Sequence, residues 1–191
     1  MGSRSKRRVS SAPKKSGRRW IIWGAIALGV IGLVVALYFN IRGPLPITGL
    51  EIFPRQARGH AEEDIAFGEL PPVGGEHRNI WQNCGIYEEV VEPAYAVHSM
   101  EHGAIWITYQ PDLAEDAIAE LQDIVRDESF VILSPYPGLR SPIVLSAWQV
   151  QLELDGVENG RISDFIEQYL VGPYTPERGA SCSGGVGEPI P

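Results

Sequence analysis

A chain of 191 residues has room for one ordinary domain with additions. Its formal charge of −8 averages two opposite segments: residues 1–19 hold eight of the 16 basic residues and no acid, while all 24 acids lie beyond residue 40, opposed there by eight arginines. So acidic a segment repels a phosphate backbone, which excludes nucleic acid as an expected partner.

In chain order, residues 1–19 are a polar, basic tail rich in Ser, Pro and Gly, expected to be disordered. Residues 20–39 follow as an uncharged apolar run, Trp20-Ile-Ile-Trp-Gly-Ala-Ile-Ala-Leu-Gly-Val-Ile-Gly-Leu-Val-Val-Ala-Leu-Tyr-Phe39. About 20 apolar residues at 1.5 Å each span a bilayer core of about 30 Å. Trp20 and Trp23 at one end and Tyr38 at the other are placed as interfacial anchors. A cleaved signal has a shorter apolar region ending in small residues, whereas this run ends in Leu37-Tyr-Phe39. The expectation is a single-pass helix in a cell membrane, in contact with the lipid bilayer. The excess of positive charge before it keeps the N-terminus cytoplasmic and places the rest of the chain outside. The basic tail then meets anionic lipid.

Residues 40–58 read as a linker and residues 59–191 as the extracytoplasmic domain. Gly68-Glu-Leu-Pro-Pro-Val-Gly-Gly75 has too many breakers for regular structure and is expected to be an ordered loop. Regular structure is expected from about residue 103. Ala104–Tyr109 is β-branched and aromatic, a strand. Leu113, Ala117, Ile118, Leu121, Ile124 and Val125 fall at helical spacing, with Asp112 as the expected N-cap. Phe130–Leu133 reads as a short buried strand, and Ile143–Val150 as another that could run on to Leu154. Ile162, Phe165, Ile166, Tyr169 and Leu170 mark a second amphipathic helix. The β-α-β-β-α order implies an α+β domain, α/β-like, with a small mixed sheet, thioredoxin-like or ferredoxin-like. The first pair is expected to be parallel, and Pro135–Pro142 suits a hairpin.

Cys84 and Cys182 are the two cysteines. Outside the cytoplasm such a pair most simply forms one disulfide, which would pin the Gly-rich tail to the domain; the alternatives are a soft metal ligand at Cys84 or two free thiols. There is no C-x-x-C, so thiol–disulfide catalysis has no support.

The segments Pro71-Pro-Val-Gly-Gly75, His77, Trp81-Gln-Asn-Cys-Gly-Ile-Tyr87 and Ala96-Val-His-Ser-Met-Glu-His-Gly-Ala-Ile-Trp-Ile-Thr-Tyr-Gln-Pro111 form one pattern. Leu133-Ser-Pro-Tyr-Pro-Gly-Leu139, Ser146-Ala-Trp148, Gly172-Pro173 and Ser181-Cys-Ser-Gly-Gly-Val-Gly187 continue it. The pattern resembles a bacterial, membrane-anchored family known as domain of unknown function 3105, over residues 59–188. The resemblance implies an anchored protein outside the cytoplasm and supplies no activity. The residues it carries over are His77, His98, Glu101, His102 and Gly103, with His60 and Cys84 beside them.

All four histidines, His60, His77, His98 and His102, lie before the first clear strand. Imidazole is the commonest protein metal ligand and suits zinc and copper. His98 and His102 are four apart, so a helical turn over residues 97–102, ended by Gly103, sets them on one face. His77 would come from the preceding loop. Met100 offers a thioether for copper, and Glu101 a carboxylate, either as a ligand itself or as a group that supports a ring from behind. His98-Ser-Met-Glu-His102 also fits H-x-x-E-H, in which two His hold zinc and Glu is the general base. That motif needs a sustained helix, and Gly103 follows at once, so a peptidase is not the expectation. The expected function is non-enzymatic binding of copper or zinc by a histidine cluster. The alternative is a metal-free accessory or interaction subunit with a membrane-protein partner.

Overall fold

The computed structural model describes residues 17–42, 46–63, 65–68 and 71–191. The basic tail, up to residue 16, and residues 69–70 of the Gly68–Gly75 loop lie outside the described residues. The chain forms two compact units, Met1–Leu45 and Pro46–Pro191.

The first unit contains α1, Gly17–Arg42. Its window Trp20–Leu37 has a mean hydropathy of 2.5 and exposed side chains, so by length and composition it can cross a membrane. A signal sequence near an N-terminus meets the same criterion.

The second unit is a mixed α+β domain. Its strands are β1 (Leu50–Ile52), β2 (Gly85–Ile86), β3 (Ile105–Tyr109), β4 (Val131–Pro135), β5 (Ile143–Ala147) and β6 (Val150–Leu154). They form one sheet in the order β1-β6-β5-β3-β4-β2. The helices are α2 (Pro93–His102), α3 (Glu115–Val125) and α4 (Asn159–Tyr169).

The expected β-α-β crossover is present: β3 and β4 are parallel, with Ile105 opposite Val131 and Tyr109 opposite Pro135. The expected Pro135–Pro142 hairpin is not. The outer edge of β4 is taken by β2, so the chain crosses β3 and lays β5 antiparallel on its far side, Trp106 opposite Ser146. The apolar run 143–154 is two strands rather than one. It folds back at Trp148–Gln149, where Gln149 adopts φ 67° and is held by Phe53 and Val73 backbone bonds of 2.8 and 2.7 Å. The segment read as linker supplies β1, which covers the edge of β6 with Leu50 opposite Leu152. Asp112 does not cap α3. That helix starts from Ala114 without a side-chain cap, and Glu115 and Asp116 in its first turn complement the positive end of the helix dipole instead.

Side chains alternate across the sheet with period two. Ile105, Ile107, Leu133, Leu145 and Leu152 face α3 and α4, where Leu121, Val125, Ile162 and Phe165 complete an apolar layer. Each such side chain contributes about 1.5–3 kcal/mol on burial. Trp106, Ile132 and Val144 face the other way and pack with Ala96, Val97 and Met100 of α2. That second face also carries bonded polar groups: Trp106 Nε1 donates to Ser134 Oγ (2.9 Å), Thr108 to the Val144 carbonyl (3.0 Å), and Gln151 to Ser146 Oγ (3.0 Å) and the Pro71 carbonyl (2.9 Å).

A candidate metal centre

The site is built on α2. Pro93 suits the first helical turn, where no amide partner is needed. Gly103 ends the helix at φ 113°, a left-handed conformation glycine adopts without strain, and its N–H returns to the Met100 carbonyl (3.0 Å). At about 100° per residue, Ala96, Val97 and Met100 point to the sheet while His98, Glu101 and His102 share the opposite side. That opposite side is nonetheless buried: His98 is 5% exposed, Glu101 3% and His102 3%.

Two irregular segments cover it. The first, residues 59–82, bonds through Ala61 N to the His77 carbonyl (2.8 Å) and His77 N to the Gly59 carbonyl (3.0 Å), while Ser99 Oγ donates to the Gln82 carbonyl (2.7 Å). The second is the tail. Its Val171, Glu177 and Gly179 amides reach the Gly103, Glu101 and His102 carbonyls at 2.8, 2.9 and 2.9 Å, satisfying the end of α2. Cys84 and Cys182 stand at disulfide distance with Cα atoms 5.4 Å apart and fix the tail there. Gly185 passes so close to the Trp81 carbonyl that any side chain would collide.

The imidazoles are held alike. His77 Nδ1 lies 2.8 Å from the Gly75 carbonyl, His98 Nδ1 2.7 Å from that of Arg78, and His102 Nδ1 2.5 Å from that of Ser181. A carbonyl only accepts, so each Nδ1 carries a proton, and a ring in its neutral form has its lone pair on Nε2. Metal-binding histidines are oriented in this way, with one nitrogen on a carbonyl and the other on the ion.

Ligand atoms of His60, His77, His98 and Glu101 lie within 4.8 Å of one another, and so do those of His98, His102 and Glu177. Tetrahedral ligands at about 2.0–2.1 Å stand about 3.3 Å apart, so a small closure brings either set onto an ion. The His98 ring lies 5.0 Å from those of both His60 and His77 and 4.6 Å from that of His102, at the centre of the group. His77, fully buried, places Nε2 2.9 Å from Glu101 Oε2, yet among the described residues that nitrogen makes no hydrogen bond. Two bare electron pairs that close, away from water, need a positive charge between them: a second proton on the ring, or a cation. His98 has its pKa lowered from 6.5 to about 4, chiefly by burial and further by His102, His77 and His60, against the Arg78 carbonyl, which raises it. The ring is therefore neutral at pH 7, the form a metal requires.

Of the residues expected from sequence, His60, His77 and His98 come together, with His60 the exposed member. His102 joins a different set, with Glu177. Met100 does not reach the cluster; it lies across the helix in the apolar layer with Trp106. Glu101 does not stand behind a ring, because backbone carbonyls occupy all three Nδ1 atoms; it sits among the ligand atoms themselves. Glu177 and Ser181 were not foreseen. They come from the tail, and no local pattern ties them to His102. The helix needed by H-x-x-E-H is present, but Glu101 is buried against His77 rather than free to act as a base.

No curated protein and no solved structure matches the chain. The sequence model of the family described as protein of unknown function DUF3105 matches residues 60–184, a span that contains every histidine and both cysteines, and the chain belongs to that family.

Proposed function

We propose that this protein is a membrane-tethered, non-enzymatic domain on the outer side of a cell membrane that binds a divalent zinc or copper ion through its histidine cluster. The observation that carries the reading is the common arrangement of three buried rings, each with Nδ1 on a backbone carbonyl, in a group of converging ligand atoms. The donors are nitrogen and oxygen. Met100 is in the core and the cysteines pair with each other, so the set suits borderline divalent ions rather than the soft cuprous ion. The four-donor set of His60, His77, His98 and Glu101 is the stronger of the two, by number of ligands and by burial.

The tether rests on the apolar window of α1 and on the basic residues that precede it. A paired Cys84 and Cys182 agrees with an oxidising compartment. Of the two sheet types expected, we infer the thioredoxin-like one. Along β6-β5-β3-β4, β5 alone runs against the other three. The metal-free reading, an accessory subunit of a membrane complex, would close the same 2.9 Å approach of His77 Nε2 to Glu101 Oε2 with a proton instead of an ion.

The test is elemental analysis of the full chain in detergent micelles, after incubation with zinc or cupric ion and desalting. One ion per chain is expected, and His77→Ala with His98→Ala should remove it while the far-ultraviolet circular dichroism stays native. Equal metal content in wild type and double variant would defeat the proposal.

A further inference from the structure

The two ligand sets are not independent, because both contain His98. Its Nδ1 is committed to the Arg78 carbonyl at 2.7 Å, which leaves one electron pair, on Nε2, for a metal. One electron pair serves one ion at a time. The sets therefore alternate. When His98 joins His60, His77 and Glu101, the other position keeps only His102 and Glu177; when it joins those two, the first position drops to three donors.

The two positions also differ in their supports. The four-donor set is carried by α2 and residues 59–77, and all of its members except His60 are buried. The three-donor set reaches outward. His102 Nε2 lies 3.6 Å from Glu177 Oε2, and the Glu177 side chain is 55% exposed on the tail. The His98 and His102 rings stand 4.6 Å apart at 83°, close enough for an ion to pass from one set to the other with one ring as a continuous ligand. Trp81 flanks this side, its ring 5.1 Å from that of His102.

We propose that the protein releases and acquires its ion stepwise, with His98 passing a divalent cation between a buried holding position (His60, His77, His98, Glu101) and an outer exchange position (His98, His102, Glu177). This rests on the metal reading above and makes the domain a handler of exchangeable ions rather than a holder of a structural one. No bond other than metal–ligand bonds changes, and the ion keeps its charge throughout.

The experiment loads the full chain, in detergent micelles, with zinc and follows its extraction by an excess of a chromophoric chelator. Wild type should bind one ion. Glu177→Gln, which leaves the His102–Ser181 bond in place, and His102→Ala should each release the ion about tenfold more slowly than wild type or worse, with stoichiometry and affinity measured alongside, as expected when a stepping position that lowers the barrier is removed. Glu101→Gln should instead weaken binding and speed release. Extraction rates within twofold of wild type in both Glu177→Gln and His102→Ala would overturn the proposal. So would two zinc ions bound together in wild type, or loss of binding in Glu177→Gln, which would make the outer position the residence. Absence of zinc binding by wild type would remove the metal reading itself, and a separate result distinguishes the two failures: one bound ion with unchanged rates leaves the metal reading standing and removes only the relay.

Discussion

The face of the sheet covered by α3 and α4 is apolar from Ile105 and Leu145 on the strands to Phe165 on the helix, whereas the face under α2 interleaves Trp106, Ile132 and Val144 with Thr108, Ser134 and Ser146. Regular helices close the first face. On the second, α2 is buried on both sides, against the sheet and beneath irregular segments that carry His60, His77 and Glu177. The difference teaches where cohesion and chemistry reside. The apolar face needs only hydrophobic burial, while the polar face is held by directed bonds, a disulfide and, on our reading, an ion. Damage to one face should therefore have a different signature from damage to the other.

The largest effect should come from the tether of the polar face. Cys182→Ser opens a link between residues 98 apart in sequence, which the chain-entropy account values at about 4–5 kcal/mol. Urea unfolding should show that loss, and limited proteolysis should cut the tail before the sheet; a tail as resistant as in wild type would show that backbone bonds alone hold it. Phe165→Ala on the apolar face should cost about 3–5 kcal/mol through lost burial and the cavity left behind. Its folded fraction should still take up one zinc ion, and a changed stoichiometry would mean that the two faces are not separable. A smaller effect is set by pH. His98 is neutral in the fold down to about pH 4 but takes a proton in the unfolded chain below its ordinary 6.5. Stability of the metal-free protein is then full above about pH 6.5 and declines as pH falls toward about 4, by on the order of 3 kcal/mol in all. His98→Gln should flatten that part of the slope, and equal slopes in the two proteins would locate the titration elsewhere.

The apolar face was largely legible in the sequence. Leu113 through Val125 and Ile162 through Leu170 show a one-sided apolar stripe, and α3 and α4 lie there. The polar face hid itself for a physical reason. With Ala96, Val97 and Met100 buried on one side of α2 and His98, Glu101 and His102 on the other, no polar face remains to produce a 3.6-residue pattern. The break between β5 and β6 falls at Gln149, a residue that does not announce a left-handed turn; bonds from Phe53 and Val73 impose it. The histidines were legible because imidazole is chemically distinctive. Their partition into two sets depends on a tail carboxylate brought in by the fold, and Met100 was misassigned because sequence proximity to His98 says nothing of its angle around the helix.

The Cys84–Cys182 link also joins an early part of the chain to a late one. The holding position draws its ligands from residues 60–101, all present early in a chain made from its N-terminus, whereas the exchange position needs Glu177 and the Ser181 carbonyl, next to the cysteine that closes the loop. On the relay reading proposed above, a chain with reduced cysteines would hold the ligands of the first position while the tail that carries Glu177 is not pinned beside His102.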